Sequence, residues 1–472
     1  MKIYAPNIHL FAFQLYKPSN LKVNEKDTSK LWQNADKIVH AILQQDLHPI
    51  QHIDLHKEPN SRRVDLLKES DVKDGDYSLS FAGKISTDDA QQVVLKGFTY
   101  PFQLSDSYGL WLNIRRPEED DDGTRTKDVN IHLLNQLNLE NCLILEKSNL
   151  FLGQTLLITA WLPGAKDNEN INLTAEEYLD IANECLTSVF NNKLPPLNHQ
   201  GELFSSPIFE YGLFSQLDNY QHVLIWLFSN ETADNKFNQC YQEFLDLFFF
   251  RIKIIKSFQD SRKIYNALVY SSEKIEDLID KAPQIQENKG LTLENLNECK
   301  NLLKKLAELG LKYTRLLRNL EEHQNTITIH KYNYLEKLQQ IREITKKDLE
   351  FLESFIKETT SYFQRQIEAD LGYFRHSSTF LEQAISSIRG IVEIEQAERD
   401  RSLEKTIQVL GIGLGTGAIA SGVITQQISY INKPLGVISP NNPPHPFYAS
   451  LFLSIVVTLF FTSVAWLWTQ RK

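Results

Sequence analysis

The chain has 472 residues, 42% of them hydrophobic and 23% charged, with a formal net charge of −10. That length allows two or three domains with a sizeable core, and the acidic balance excludes a general nucleic-acid binder, which needs a basic face. The four cysteines, Cys142, Cys185, Cys240 and Cys299, are scattered and form no CxxC pair, which fits a reduced, cytosolic setting. Met1 to Pro6 holds no long apolar stretch and gives no sign of a secretory signal.

Residues 1 to about 165 read as mixed α/β. Strands are predicted over Ile8 to Tyr16, Tyr77 to Ile85, Gln92 to Tyr100, Ser107 to Ile114, Val129 to Leu134 and Thr155 to Leu162, all rich in aromatic and β-branched residues. A helix is predicted over Ser29 to Leu43, with Leu31, Ala35, Ile38 and Ile42 on one side. Thr174 opens another, with Glu177 three residues on to complete a capping box. A strand follows over His222 to Phe228.

From Glu231 the chain turns to long, charged, amphipathic helix. No proline occurs between Pro283 and Pro434, which permits great length. Breaks are predicted near Ala282 and Pro283, near Asn288 to Leu291, and around Asn325 to Ile329. From about 330 to 405, Leu338, Ile341, Leu352, Ile356, Phe363, Ile367, Leu371, Phe374, Leu381, Ile385, Ile388 and Val392 recur mostly at spacings of three and four. This is a coiled-coil-like seam, predicted to be one long stalk helix.

Phe447 to Trp468 contains no charge and no proline, and has aromatic residues at both ends. As a helix it spans roughly 33 Å, against a hydrocarbon core of about 30 Å. Thr406 to Ile428 is also uncharged but rich in small residues. A stripe of Gln408, Gly411, Gly415, Ala418, Gly422, Thr425 and Ser429 leaves one face nearly without bulk. Such a face serves close helix packing or the lining of a pore. Arg399, Arg401 and Lys405 precede the first span and Arg471 and Lys472 follow the second, while the loop between carries only Lys433. The positive-inside rule then places both termini in the cytoplasm of a multi-pass cell (inner) membrane protein.

This layout resembles the CorA family of magnesium transporters. The resemblance implies a homo-oligomer, a pentamer in that family, around a pore lined by the first span, and a divalent cation such as magnesium as its ion. The family's Gly-Met-Asn signature at the outer end of the first span is absent, since Met1 is the sole methionine. The nearest match is Ser429-Tyr430-Ile431-Asn432, followed by Lys433. Tyr430, Asn432 and Lys433 therefore form the expected outer mouth, and the departures argue against magnesium selectivity. Divergent relatives acting as CRISPR defence effectors imply an alternative, a non-conducting tethered sensor activated by a nucleotide signal.

Three further clusters compete with plainer readings. His48, His52 and His56 recur every four residues, suited to zinc on a helix, but Pro49 interrupts the turn. The run Glu118, Glu119, Asp120, Asp121 and Asp122 is a candidate regulatory metal site or a solvated loop. Arg115, Arg116, Arg125 and Lys127 around it suit an anion or simply pair with those acids. No nucleophile elbow, zinc-protease helix or P-loop occurs, so nothing argues for an enzyme. The chain reads as an α+β membrane protein whose partners are a lipid bilayer and copies of itself. It has an N-terminal α/β cytoplasmic domain over 1–230, a helical bundle over 231–326 and a long helical, coiled-coil-like stalk over 327–405. Transmembrane helices follow over 406–428 and 447–468, with an outer loop over 429–446 and a basic tail over 469–472. The function expected is an oligomeric channel or transporter whose cytoplasmic domain senses an ion, small ligand or nucleotide and gates the first span.

Overall fold

The computed structural model describes residues 1–16, 25–55, 57, 62–87, 92–146, 148–167, 171, 173–190, 194–215, 220–281, 292–427, 433, 441–442 and 445–470. These fall into two compact units: Met1–Leu268 with Leu316–Phe374, and Val269–Arg315 with Arg375–Lys472.

The first unit is built on a ten-stranded sheet. Its strands are β1 (Lys2–Leu15), β2 (Arg63–Asp65), β3 (Leu79–Ser86), β4 (Gln92–Leu104), β5 (Ser107–Arg115), β6 (Val129–Asn130), β7 (Phe151–Trp161), β8 (Leu197–Leu203), β9 (Ser206–Tyr211) and β10 (His222–Phe228). The order is β2-β4-β5-β1-β7-β10-β9-β8, with β3 on β4 and β6 on β1. Neighbours run antiparallel except β10 beside β7. Strand β1 lies in the middle and is buried along nearly all its length, because helices cover both faces of the sheet. Only Val129 and Asn130 of the predicted strand to Leu134 pair with β1. Asn130 Oδ1 then accepts from His132 N at 3.0 Å and turns the chain into a short helix.

Helix α1 (Glu25–Leu43) buries Leu31, Ala35, Ile38 and Ile42 as its spacing predicts, and Trp32 packs edge-on to Tyr108 of β5. After the short helices α2 (Pro49–His52) and α3 (Leu133–Gln136) comes α4 (Ala175–Val189). Its N-terminus carries both halves of the capping box between Thr174 and Glu177. It packs on β9 and β10, where Tyr211 donates to Asn183 at 2.9 Å.

The opposite face takes α5 (Glu231–Asp280). Phe237, Phe248 and Phe249 of α5 meet His9, Phe11 and Phe13 of β1, while Trp226 of β10 packs on Phe237 and Phe244. Each such ring removed from water contributes about 1.5–3 kcal/mol. The same buried stretch carries three charges, each matched. Asp246 pairs with Arg63, and with Lys337 at 3.0 Å; Arg251 pairs with Glu210; Lys253 reaches Asp106 at 2.7 Å.

Acid should weaken this unit. Burial, then the Arg115 charge, lowers His9 to about 3, and burial, then the Lys253 charge, lowers His330 to about 4. Both are therefore neutral when folded, and Trp111 Nε1 donates to His9 Nδ1 at 3.2 Å. Below the ordinary histidine value of 6.5 the unfolded chain takes up the protons instead. Stability is then lost as pH falls, by up to about 1.4 kcal/mol per unit per histidine. Melting midpoints should drop between pH 7 and pH 5, and His330→Gln should flatten the slope. Equal slopes in the two proteins would refute this assignment.

Helix α6 (Leu293–Thr345) runs straight through the break predicted at Asn325 to Ile329. There Thr326 and Thr328 donate to the carbonyls four residues back at 2.8 and 3.0 Å, so these polar residues are satisfied inside the helix. The real break is Lys346, at φ 53°, after which Asp348 Oδ1 accepts from Leu349 N at 2.7 Å. The stalk predicted as one helix from 327 is thus divided. It restarts as α7 (Glu350–Ser354), passes through a π-turn (Phe355–Thr360) and continues as α8 (Ser361–Gln427). Thr360 and Ser361 hydroxyls donate to the carbonyls of Phe355 and Ile356, five residues back, at 3.2 and 3.1 Å, which suits the wider turn. Along α8 the predicted seam is buried at Phe363, Ile367, Leu371, Phe374, Leu381, Ile388 and Val392. Helix α9 (Pro446–Gln470) ends the described chain. The predicted breaks at Ala282, Pro283 and Asn288 to Leu291 lie outside the described residues.

Candidate functional site

Two described helices are long and apolar enough to cross a membrane, the later part of α8 and Phe447–Leu467 of α9. A core helix of similar length would be mostly buried. These apolar stretches are 17% and 11% buried, with Leu414, Ile419, Leu459 and Phe460 exposed.

The two helices meet on a face that differs from the predicted stripe. A side chain at Gly413 would collide with Thr462 Oγ1, and one at Gly417 with Thr458 Oγ1, so the helices run antiparallel at close approach. Glycine is required at both places because the facing atoms belong to a neighbouring helix. The α9 surface repeats in fours, Ser450, Ser454, Thr458 and Thr462. The hydroxyls of Ser454, Thr458 and Thr462 donate to the carbonyl four residues back at 2.6–2.7 Å. These three hydroxyls are thus paired within their own helix, as a membrane span would require. The signal was present in the sequence as Gly413-Leu-Gly-Thr-Gly417, small residues four apart.

The predicted stripe lies elsewhere on α8. At Gly411, Gly415 and Gly422 a side chain would meet nothing within 4 Å among the described residues, and Ala418 is exposed. Gln408 is exposed and donates to Glu404 at 3.3 Å. Thr425 belongs to α8 by its backbone. Lys433 is exposed at a bend. Ser429, Tyr430 and Asn432 lie outside the described residues, as do Arg471 and Lys472 of the basic tail.

The acidic run is a tied loop, held at Glu118, Asp121 and Asp122 through their carboxylates and at Glu119 and Asp120 through the backbone. Glu118 accepts from Trp161 Nε1 at 2.9 Å and pairs with Lys166. Glu119 bridges to Arg125 through the backbone, and Asp120 closes the turn, its N–H donating to Thr124 C=O and its C=O accepting from Gly123 N–H, each at 2.9 Å. Asp121 pairs with Lys96 at 2.6 Å. Asp122 accepts from Thr124 N at 2.9 Å, which holds its carboxyl below the ordinary range. Arg125 pairs with Asp167 over the Tyr4 ring, Arg116 is half-buried, and Arg115 and Lys127 are exposed. His48 and His52 point to different acids, Asp36 at 3.5 Å and Asp71 at 3.2 Å, and His56 lies outside the described residues. Among the described residues no group of three or more His, Cys, Asp or Glu side chains is placed to hold a metal.

One cluster escaped the sequence reading. Glu210 of β9 is 4% exposed and Arg251 of α5 is 6% exposed, and they form an ion pair. Asn198 of β8 donates to Glu210 at 3.0 Å, and the guanidinium lies 3.9 Å over the Phe355 ring in the π-turn. Burial works against the charge on Arg251, but Glu210 together with Tyr220 and Tyr334 raises its pKa overall. Burial and then Arg251 push His222 well below its ordinary value. Neutral, it meets Thr155 Oγ1 at 2.8 Å and stands 3.7 Å from Glu210. The available signal was a set of charges, Asp246, Arg251 and Lys253, within the otherwise apolar run Phe244 to Ile255.

Compared with family models, curated proteins and solved structures, the chain has no significant match.

Proposed function

We propose that this protein is an oligomeric CorA-like membrane channel or transporter. Its sheet unit is cytoplasmic and senses an ion or small ligand, and α8 carries that state into the first span and gates it. The observation that most supports this reading is the unused glycine face of α8. The contact with α9 occupies Gly413 and Gly417, and leaves Gly411, Gly415, Ala418 and Gly422 uncovered. Faces turned to lipid carry bulk, as Leu414 and Ile419 do at 67% and 71% exposure. An uncovered face without bulk suits another copy of the chain around a shared axis. The basic residues at 399, 401, 405, 471 and 472 set the orientation, with the loop around Lys433 outside.

In an oligomer, one Lys433 per subunit makes a ring of positive charge that repels divalent cations more than monovalent ones. Purified protein in liposomes should therefore pass monovalent cations in preference to magnesium, and Lys433→Glu should raise divalent flux several-fold. Selective magnesium uptake unaffected by that substitution would overturn the reading of the mouth. Oligomers that pass no ion at all would overturn conduction and leave a tethered sensor.

A further inference from the structure

Beside the Glu210–Arg251 pair, the first unit holds a half-open cavity of about 240 Å³. Asn198 and Glu210 line it from the sheet edge and Phe214 from the strand connection. Phe355 and Glu358 line it from the π-turn, and Tyr362 from the first turn of α8. We infer that this cavity binds a small organic ammonium ion, and that the bound ion ties the π-turn to the sheet edge. The second half of the inference rests on the proposed gating role of α8; the first half does not.

Charge and shape select the ligand. The Glu210 carboxylate and the Arg251 cation neutralise each other and Lys357 pairs with Glu353 at 2.7 Å, so Glu358 is the carboxylate that gives the cavity its charge; His199 also lines it, its ring stacked on Phe351. Anions, nucleotides among them, are therefore repelled. A bare metal ion needs several oxygen ligands within about 2.0–2.6 Å of one point, and the described residues offer no such group. The walls mix polar groups, Asn198, Ser354 and Thr359, with aromatic rings, Phe214 and Tyr362 having centroids 6.1 Å apart. Aromatic faces with nearby carboxylates bind ammonium groups, whose charge is attracted by the ring quadrupole. The chain already uses this chemistry next door, where Arg251 sits on Phe355 against Glu210. The opposite wall is a π-turn, a helical irregularity frequent at functional sites. It leads directly into α8, so a ligand bridging Glu210 and Glu358 sets the start of that helix.

The test uses full-length protein in detergent and calorimetric titration with tetramethylammonium and with the diamine putrescine, alongside magnesium chloride and AMP. At least one ammonium probe should bind saturably. Glu358→Gln and Tyr362→Ala should each weaken it roughly tenfold, while Glu350→Gln outside the cavity should not. Circular dichroism melts establish that the variants fold. Failure of both ammonium probes to saturate overturns the inference, as do unchanged affinities in the two cavity variants or equal binding of magnesium or AMP. Liposome flux with and without the bound probe then separates the two readings. Binding that leaves flux unchanged keeps the ammonium site and removes the gating role of α8.

Discussion

Gly417→Leu should separate the two C-terminal helices, and Gly413→Leu should do the same. At each position the added side chain runs into a threonine of α9 whose hydroxyl is bonded to its own helix. Overpacking a tight contact typically costs about 1–3 kcal/mol, and leucine adds four carbons where no carbon fits. Gly415→Leu and Gly422→Leu provide the contrast. Among the described residues nothing stands within 4 Å of a side chain added at either position, so the hairpin survives. In the proposed oligomer they disturb whatever covers that face. Melting in detergent should report a lower midpoint for the Gly413 and Gly417 variants. Light scattering and flux should report a broken oligomer or closed pore for the Gly415 and Gly422 variants. Four variants that behave alike would mean that the two faces are not functionally distinct.

Arg251→Ala should be the most damaging single change in the sheet unit. It leaves the Glu210 carboxylate buried with only Asn198 as an identified donor. Breaking a buried pair in this way costs about 3–5 kcal/mol. It also removes the cation over Phe355. The double variant Arg251→Met with Glu210→Leu should recover most of the loss, because two apolar side chains of similar volume need no partners. Urea denaturation of the three proteins measures both effects. A double variant no more stable than Arg251→Ala would mean that the cost lies in packing and not in the orphaned charge.

The parts of the fold legible in the sequence were those with strong local signals. The capping box at Thr174, the apolar side of α1 and most of the predicted apolar strands appear where expected, although Val129 to Leu134 is a strand only at its first two residues and β1 begins six residues before Ile8. Strand β8, Leu-Asn-His-Gln-Gly-Glu-Leu, was missed because it lies at the sheet's edge, is largely polar, and owes its form to pairing with β9. The division of the stalk at Lys346 was missed because no glycine or proline marks it. A lysine adopts the left-handed turn there, and the following segment is held by contacts distant in sequence, Tyr334 OH to Leu352 O at 3.0 Å and Arg342 to Glu353. The glycines of the first span were visible, but not which of them met α9, since that depends on the facing residue. Glu210 and Arg251 are 41 residues apart, and only folding brings them together.

The three charges of α5 also bear on how that helix finds its seat. Its apolar surface is repetitive, with phenylalanine at 237, 244, 248, 249, 250 and 258. Grease against grease tolerates sliding: shifted by one turn, about 5.4 Å, much of that surface would still find aromatic neighbours. The charges do not tolerate it. Asp246 answers to β2 and α6, Arg251 to β9, and Lys253 to the turn between β4 and β5. A slipped helix strands all three away from their partners in an apolar setting, at a cost of several kcal/mol each. They act like the notches of a key, contributing little to the grip of the helix and much to the uniqueness of its position.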